Sequence, residues 1–272
     1  MTVTGKLEAV TERGWRLGYL NLLQRESQEW WGTRRWLLQS MLWIIIIDGF
    51  MAFMLFVMPG IMRMATGEEA ASFDVIEGAV AVLFQLGMIG TGVGTIILGQ
   101  DLILEERLNG ISEWILSKPV SRVSYILAKL VANMVGISIF YVGIPAGIGY
   151  ALLAVKMGNL LAIPPFLIGV GAMLLHSLFF FTLTLMMGVL SQSRSIVLGV
   201  AMGMLFAGLI LPGFMGKTLA SLTPWMLPRL MSGLIPVPIL PMTVLTTPLI
   251  MTAIWSIVFI SFSLLRFRRL EF

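Results

Sequence analysis

Long apolar stretches alternate with short polar segments along the whole chain. Six of these stretches are each long enough to cross about 30 Å of hydrocarbon as a helix, which satisfies every backbone hydrogen bond internally. The six predicted spans are residues 36–58, 75–98, 123–154, 165–190, 196–215 and 242–265. The pattern therefore predicts an all-α integral membrane protein, folded as a single transmembrane domain over residues 1–272.

The composition supports a membrane protein and excludes several other classes. Of 272 residues, 58% are hydrophobic and 12% are charged, whereas a soluble domain carries about 25% charged residues. The chain has no cysteine, which excludes disulfides and thiolate metal sites. Its one histidine, His176, lies in an apolar span, where a packed neutral side chain is expected. We expect membrane lipid around the chain, no bound metal and no nucleic-acid partner.

Basic residues are concentrated in every second connection between the spans. If both termini are cytoplasmic, fourteen of the 18 Lys and Arg residues lie in the inner segments. The four in the outer segments are Arg63, Lys156, Lys217 and Arg229. Because Lys and Arg are enriched in cytoplasmic loops, the sequence predicts a multi-pass protein of the cell membrane with both termini cytoplasmic.

Two segments outside the spans have unusual compositions. Residues 15–34 mix tryptophan with arginine, which suits the headgroup layer and predicts an interfacial helix; an ordinary cytoplasmic helix with buried aromatic residues remains the alternative. Residues 216–242 are too apolar for water, yet their prolines forbid a continuous helix. We predict short re-entrant helices there, on the outer side between spans five and six. These prolines are Pro224, Pro228, Pro236, Pro238 and Pro241.

Polar and small residues inside the spans are candidates for function or for close packing. Asp48 follows four isoleucines near the middle of the first span, where a carboxylate is costly unless it is paired, protonated or hydrated. It is a candidate for the transport path or for proton binding, or it forms a hydrogen bond to a neighbouring helix. Gly87, Gly90 and Gly94 form a small-residue face that lets a helix approach closely, from this chain or from a second copy.

The segment 101–122, between the second and third spans, is rich in charge for this chain. Leu108, Ile111 and Ile115 recur at helical spacing and predict one apolar stripe on a short amphipathic helix, which Pro119 ends. Such a helix can transmit motion from a partner bound below it, or it can be a connector that is solvated on one face.

The residues of this segment resemble those of a known family. An acidic pair at 105–106, the residues Gly-Ile-Ser-Glu at 110–113, the run Ser-Lys-Pro-Val-Ser-Arg at 117–122 and a downstream Lys129 closely resemble the membrane subunits of type-2 ABC exporters. The chain departs from the usual pattern at positions 111–112, where Thr-Leu is typical. The six spans and the proline-rich outer segment extend the resemblance over nearly the whole chain.

The resemblance implies a coupling helix that docks on a separate ATP-binding subunit, which holds the ATP and Mg²⁺. It also implies pairing with a second copy of the permease, as a homodimer or, alternatively, a heterodimer. The chain itself is expected to be no enzyme, because Gly216-Lys217-Thr218 lacks the first glycine of a phosphate-binding loop. The residues that the resemblance assigns to coupling are Glu105, Glu106, Arg107, Gly110, Glu113, Trp114, Ser117, Lys118, Pro119 and Arg122.

Three functions are therefore open at the level of sequence. The first is the permease subunit of an ATP-driven exporter. The second is a membrane scaffold or anchor of an assembly or maturation system that moves no substrate. The third is a secondary transporter driven through Asp48, which the scarcity of charge inside the spans disfavours.

Overall fold

The helices of the bundle account for nearly all of the chain that the structure describes. In this computed structural model, residues 14–67, 72–233 and 242–270 are described, and every regular element within them is helical. The predicted all-α class is therefore confirmed for these ranges. Several residues used in the sequence analysis lie outside them, namely the first 13 residues and Pro236, Pro238 and Pro241.

Within the described ranges, six helices are long and apolar enough to cross a membrane, as predicted. We refer to them as spans 1 to 6 in chain order. Their bounds are Arg35–Ala65, Val75–Leu108, Arg122–Met157, Ile163–Leu190, Arg194–Gly213 and Val244–Arg268. The first helical residue of span 6 is Met242, and that of span 2 is Ser72. The chain is thus a multi-pass helical membrane protein.

The first three spans contain turns that are wider than those of an α-helix. These π-helical turns occupy Ile44–Gly49 and Phe53–Val57 in span 1, Val82–Leu86 in span 2 and Ile137–Gly143 in span 3. Such turns are rare and are frequent at functional sites. The turn at Ile44–Gly49 contains Asp48.

In the part of the chain that the structure describes, five short helices lie outside the spans or extend them. Helix α1 comprises Tyr19–Trp31, and helix α2, at the end of span 2, comprises Asp101–Leu108. Helix α3 follows at Ile111–Leu116. After span 5 come α4, Lys217–Ser221, and α5, Leu227–Ser232. Single 3₁₀ turns lie at Gly14–Arg16, Leu211–Gly213 and Pro224–Met226.

Span 4 forms the centre of the bundle. It packs against spans 2, 5 and 6, and the consecutive residues Phe179, Phe180 and Phe181 are all fully buried. Three consecutive buried positions require neighbours on several sides of the helix, because successive helical residues point about 100° apart. Spans 1, 5 and 6 are more exposed, so their outer faces are available to lipid or to a partner.

Helix α1 lies along the beginning of span 3. Leu22, Glu26 and Trp30 recur every fourth residue and form its buried face, and the Trp30 indole lies against Gly136. A Cβ atom at Gly136 would come within 2.4 Å of that ring, so only glycine allows this approach. Trp31, by contrast, is 54% exposed, so α1 combines a buried tryptophan with an exposed one.

In its described part, the segment after span 5 consists of short helices; Pro224 opens a 3₁₀ turn, and Pro228 stands in the first turn of α5. Helix α5 packs against spans 2 and 4, so the chain folds back against the bundle. The Trp225 indole donates a hydrogen bond to the Met204 carbonyl at 2.9 Å, and it occupies the space beside Gly208. These contacts hold the start of the segment against span 5.

The predicted glycine face of span 2 packs within this chain. A Cβ atom at Gly94 would come within 2.2 Å of the Trp43 ring of span 1, and one at Gly90 within 3.0 Å of the same ring. Gly87 lies against Met173 of span 4, at 2.9 Å by the same measure. The glycines thus let spans 1 and 4 approach span 2. The close neighbours of this glycine face therefore belong to the same chain.

Candidate functional site

The connector between spans 2 and 3, residues 101–122, is two helices with a sharp turn between them. Gly110 has a φ of 70°, a left-handed conformation that glycine adopts without steric cost. The turn separates α2 from α3, so the predicted single apolar stripe is wrong. Ile115 is buried at 4% exposure, whereas Leu108 is 66% exposed. The two ends of the predicted stripe therefore face opposite environments.

A buried ion network joins the connector to α1 and span 3. The Lys129 Nζ atom lies 2.9 Å from Glu26 Oε1 and 3.1 Å from Glu106 Oε2. Arg25 Nη2 lies 2.8 Å from Glu106 Oε1. Lys129, Glu26 and Glu106 are all buried. Two cations thus balance two carboxylates, and we use the name buried ion network for Arg25, Glu26, Glu106 and Lys129.

Neutral polar groups extend this network on both sides. The Tyr125 hydroxyl donates to Glu106 Oε2, and Ser112 Oγ of α3 lies 3.0 Å from the same hydroxyl. Asn133 Nδ2 donates to the Lys129 carbonyl at 2.9 Å, and the Trp30 indole donates to Asn133 Oδ1 at 3.0 Å. Because buried polar groups are costly unless they are hydrogen-bonded, these partners fix the positions of α1, α3 and span 3 relative to one another.

Glu26 lies outside the spans, and the pKa of its carboxyl group is raised. Burial raises the pKa of the Glu26 carboxyl group, and the nearby Lys129 opposes that shift. The neighbouring Glu106 adds a repulsive contribution in the same direction as burial. The charge on Glu26 therefore depends on Lys129, whose ammonium group at 2.9 Å lies closer to it than the Arg25 guanidinium at 3.9 Å.

Two arginines of the connector cap the ends of membrane helices. Arg107 Nη1 donates to the carbonyls of Gly188 and Val189, at 3.1 Å and 3.0 Å, at the end of span 4. Arg122 Nη1 donates to the carbonyls of Arg268 and Leu270, at 2.8 Å and 2.6 Å, at the end of span 6. The last carbonyls of a helix lack intrahelical partners and carry partial negative charge. Both guanidinium groups are therefore used inside the protein.

The start of span 5 is also tied to the connector. Arg194 Nε lies 2.7 Å from Asp101 Oδ1, and its Nη2 lies 3.8 Å from Glu105 Oε2. These ion pairs are partly exposed, so each contributes little to stability by itself. Together with Arg107 and Arg122, they bring the connector into contact with spans 4, 5 and 6.

Seven residues of the connector form an exposed face. Trp114 is 64% exposed, and the Lys118 ammonium group lies 4.5 Å from the centre of its ring. Tryptophan is enriched at the centres of protein interfaces, whereas an isolated protein rarely exposes it to this extent. We call these residues the exposed connector face: Glu105, Leu108, Glu113, Trp114, Ser117, Lys118 and Pro119.

The ten residues that the resemblance assigns to coupling thus fall into three groups. Glu106, Arg107 and Arg122 are engaged inside the protein, and Gly110 forms the turn, while the other six lie on the exposed connector face. Sequence reasoning did not identify Arg25, Tyr125 or Asn133 as part of the site. The sequence did carry one signal of the buried ion network, because Glu26 and Lys129 each place a charge on the apolar face of a helix.

Asp48 lies elsewhere, in the interior of span 1. Its side chain is 3% exposed, and neither carboxylate oxygen has a hydrogen-bond partner among the described residues. The structure does not bring Asp48 together with the connector.

The fold and the connector define the class as a multi-pass helical membrane protein with a charged, structured connector between spans 2 and 3. Residues 36–272 match a family described as "Protein of unknown function (DUF2705)". The chain belongs to this family. No curated protein matches the chain.

Proposed function

We propose that this protein is the permease subunit of an ATP-binding-cassette exporter, which moves a substrate across the membrane with energy from ATP hydrolysed by a separate subunit. In this proposal the chain has no catalytic residue of its own, and ATP and Mg²⁺ bind to the partner. The exposed connector face is the docking site of the ATP-binding subunit.

The observation that carries the proposal is the attachment of the connector to most of the bundle. One side of the connector is exposed and carries Trp114, while the other side is held to α1, to span 3 and to the ends of spans 4 and 6. A displacement applied at α3 is therefore transmitted to several membrane helices at once, because packed helices move as rigid bodies. This is the mechanical requirement for coupling ATP hydrolysis to transport.

Two further features of the proposal follow from the distribution of charge and of apolar surface. We place the protein in the cell membrane, with the connector and both termini on the cytoplasmic side, because the connector end of the bundle carries most of the basic residues. We also propose a second copy of the chain as a partner, related by a two-fold axis. Gly199 and Gly203 support this, because they lie four residues apart on span 5, a spacing that lets a second helix approach closely, and a Cβ atom at either position would meet nothing of this chain within 4 Å.

The docking assignment is tested by purifying the affinity-tagged protein from its own cells and measuring the ATPase activity that accompanies it. We expect Trp114→Ala to lower the co-purified ATPase activity at least tenfold, because a central interface tryptophan contributes about 2 kcal/mol or more. Phe214→Ala is the control, since Phe214 is 84% exposed and follows span 5 at the opposite end of the bundle. Equal ATPase activity with both variants, or none with the wild type, would contradict the proposal.

A membrane scaffold is the alternative that the same exposed face supports, since Trp114 can also hold a partner without transmitting motion. The two functions differ in how they respond to Glu106→Gln, which weakens the connection between α2 and span 3 but leaves the exposed face intact. In a transporter, this variant still binds the ATP-binding subunit but loses ATP-dependent substrate movement in sealed vesicles. In a scaffold, partner binding alone accounts for the function, and no ATP-dependent movement is found in the wild type.

A further inference from the structure

Asp48 has an environment that the proposed function does not use. It lies in the π-helical turn Ile44–Gly49 of span 1, and its side chain is 3% exposed. Neither of its oxygens has a hydrogen-bond partner within the part of the chain that the structure describes. Of the alternatives that the sequence left open, a hydrogen bond to a neighbouring helix therefore finds no donor among the described residues.

The charged groups of the surrounding elements are engaged elsewhere. The turn packs against the rest of span 1, the middle of span 2 and the second half of span 3. Arg35 of span 1 pairs with Glu29 at 3.2 Å. In span 3, the Tyr150 hydroxyl donates to the Leu161 carbonyl at 3.0 Å, and Lys156 lies over a phenylalanine ring.

The nearby parts of spans 2 and 4 do not supply a partner either. The described residues of span 2 that face the turn, Val82–Leu86 and Gly87–Gly99, contain no titratable side chain. In span 4, His176 lies against Gly92 and against the ring of Phe180. The described residues also contain no group of three or more His, Cys, Asp or Glu side chains that would hold a metal ion.

An ionised carboxylate in this position would be a buried charge without a partner, which is costly inside a membrane. Binding a proton removes the charge and supplies one O–H donor, which a carbonyl of the same helix can accept. We propose that Asp48 is a proton-binding site in span 1 and that this fold holds it as the neutral carboxylic acid.

The consequence is a link between proton binding and the packing of span 1. Loss of the proton places an unpaired charge between span 1 and its neighbours, so the separation of these helices is favoured when the proton leaves. A wide π-helical turn at the same position offers a local change of backbone hydrogen bonding that can accompany the change. This inference does not depend on the proposed coupling to an ATP-binding subunit.

Infrared spectroscopy of the full-length protein in lipid vesicles at neutral pH tests the proposal. The chain has three aspartates, Asp48, Asp74 and Asp101, so labelling aspartate side chains with ¹³C isolates their signals. We expect a protonated carboxyl band that shifts with the label and is lost in Asp48→Asn. Asp101→Asn is the matched control and should retain the band, because Asp101 pairs with Arg194 at 2.7 Å.

Each result decides the question. A wild-type spectrum without a label-sensitive carboxylic acid band means that Asp48 is ionised, and this overturns the proposal even if no variant folds. A band that persists in Asp48→Asn belongs to another aspartate and overturns it equally. A band that is lost in Asp48→Asn and kept in Asp101→Asn supports it, and the band should also disappear reversibly as the pH of the vesicles is raised.

Discussion

Lys129 is the position at which the energetics of the buried ion network can be measured most directly. Its ammonium group contacts both carboxylates, at 2.9 Å for Glu26 and 3.1 Å for Glu106. Lys129→Met keeps a long unbranched side chain and removes the charge. The perturbation is therefore electrostatic, with little change in the volume that is packed between α1 and span 3.

The expected loss of stability is large because two buried carboxylates lose a cation together. Arg25 still lies 2.8 Å from Glu106, but its distance to Glu26 is 3.9 Å and it is partly exposed. The network changes from neutral to a net charge of −1. Removing one partner of a buried ion pair costs about 3–5 kcal/mol, which is a large part of a typical folding free energy of about 5–15 kcal/mol.

The loss of stability in Lys129→Met should also depend on pH, and the pKa shift of Glu26 determines the direction of that dependence. Burial raises the pKa of Glu26, and Lys129 opposes the shift, so Lys129→Met raises that pKa further. A carboxyl group with a raised pKa in the folded state destabilises the protein as the pH rises from its unfolded value, about 4.3, through its folded value. The destabilisation by Lys129→Met should therefore be smallest in acid and largest above the folded pKa.

Denaturant unfolding in detergent micelles, followed by tryptophan fluorescence at several pH values, measures both effects. Lys118→Met is the matched control, because Lys118 is exposed and its loss should change stability by only about 0.5 kcal/mol. The double variant Lys129→Met with Glu26→Gln should recover part of the loss, since it removes one unpaired carboxylate. A Lys129→Met protein as stable as the Lys118→Met control, at all pH values, would refute the reasoning.

Two further predictions concern glycines whose surroundings differ. Gly136→Ala should destabilise the protein by about 1–3 kcal/mol through overpacking, because its Cβ would come within 2.4 Å of the Trp30 ring. Thermal unfolding in detergent measures this loss of stability. Gly147→Ala in the same span is the control and should not destabilise the protein, because a Cβ atom there meets no atom within 4 Å. Gly203→Leu should lower the fraction of cross-linked dimer in native membranes, if span 5 forms the proposed contact with a second copy. Gly171→Leu, at another position where a Cβ atom meets nothing within 4 Å, should leave the dimer unchanged, and equal loss in both would argue against span 5.

The six spans were predictable because the membrane constrains them strongly. A segment that crosses hydrocarbon must be long, apolar and helical, since its backbone has no other hydrogen-bond partner. The observed span 1, Arg35–Ala65, extends several residues beyond the predicted range 36–58 at its C-terminal end. It continues through Met58–Thr66, so Pro59 lies inside the span without ending it, just after the π-helical turn Phe53–Val57.

The partners of the charged residues could not be predicted in the same way. Glu26 and Lys129 are 103 positions apart in the chain, and only the packing of α1 on span 3 brings them together. The stripe at Leu108, Ile111 and Ile115 failed because helical spacing assumes an unbroken helix. Gly110 was the available signal for a break, since a left-handed residue at the end of a helix is usually glycine.

The use of charge at the seam between α1 and span 3 favours a role in positioning over a role in stability. A buried ion pair is often no more stabilising than apolar side chains of the same volume, and Trp30 against Gly136 already supplies apolar packing at this seam. An apolar seam tolerates sliding, whereas displacement of α1 by one helical turn, about 5.4 Å, would separate Glu26 from Lys129 and Arg25 from Glu106. The network therefore allows α1 few positions relative to span 3. Such a fixed arrangement suits a connector that must transmit a displacement to the spans.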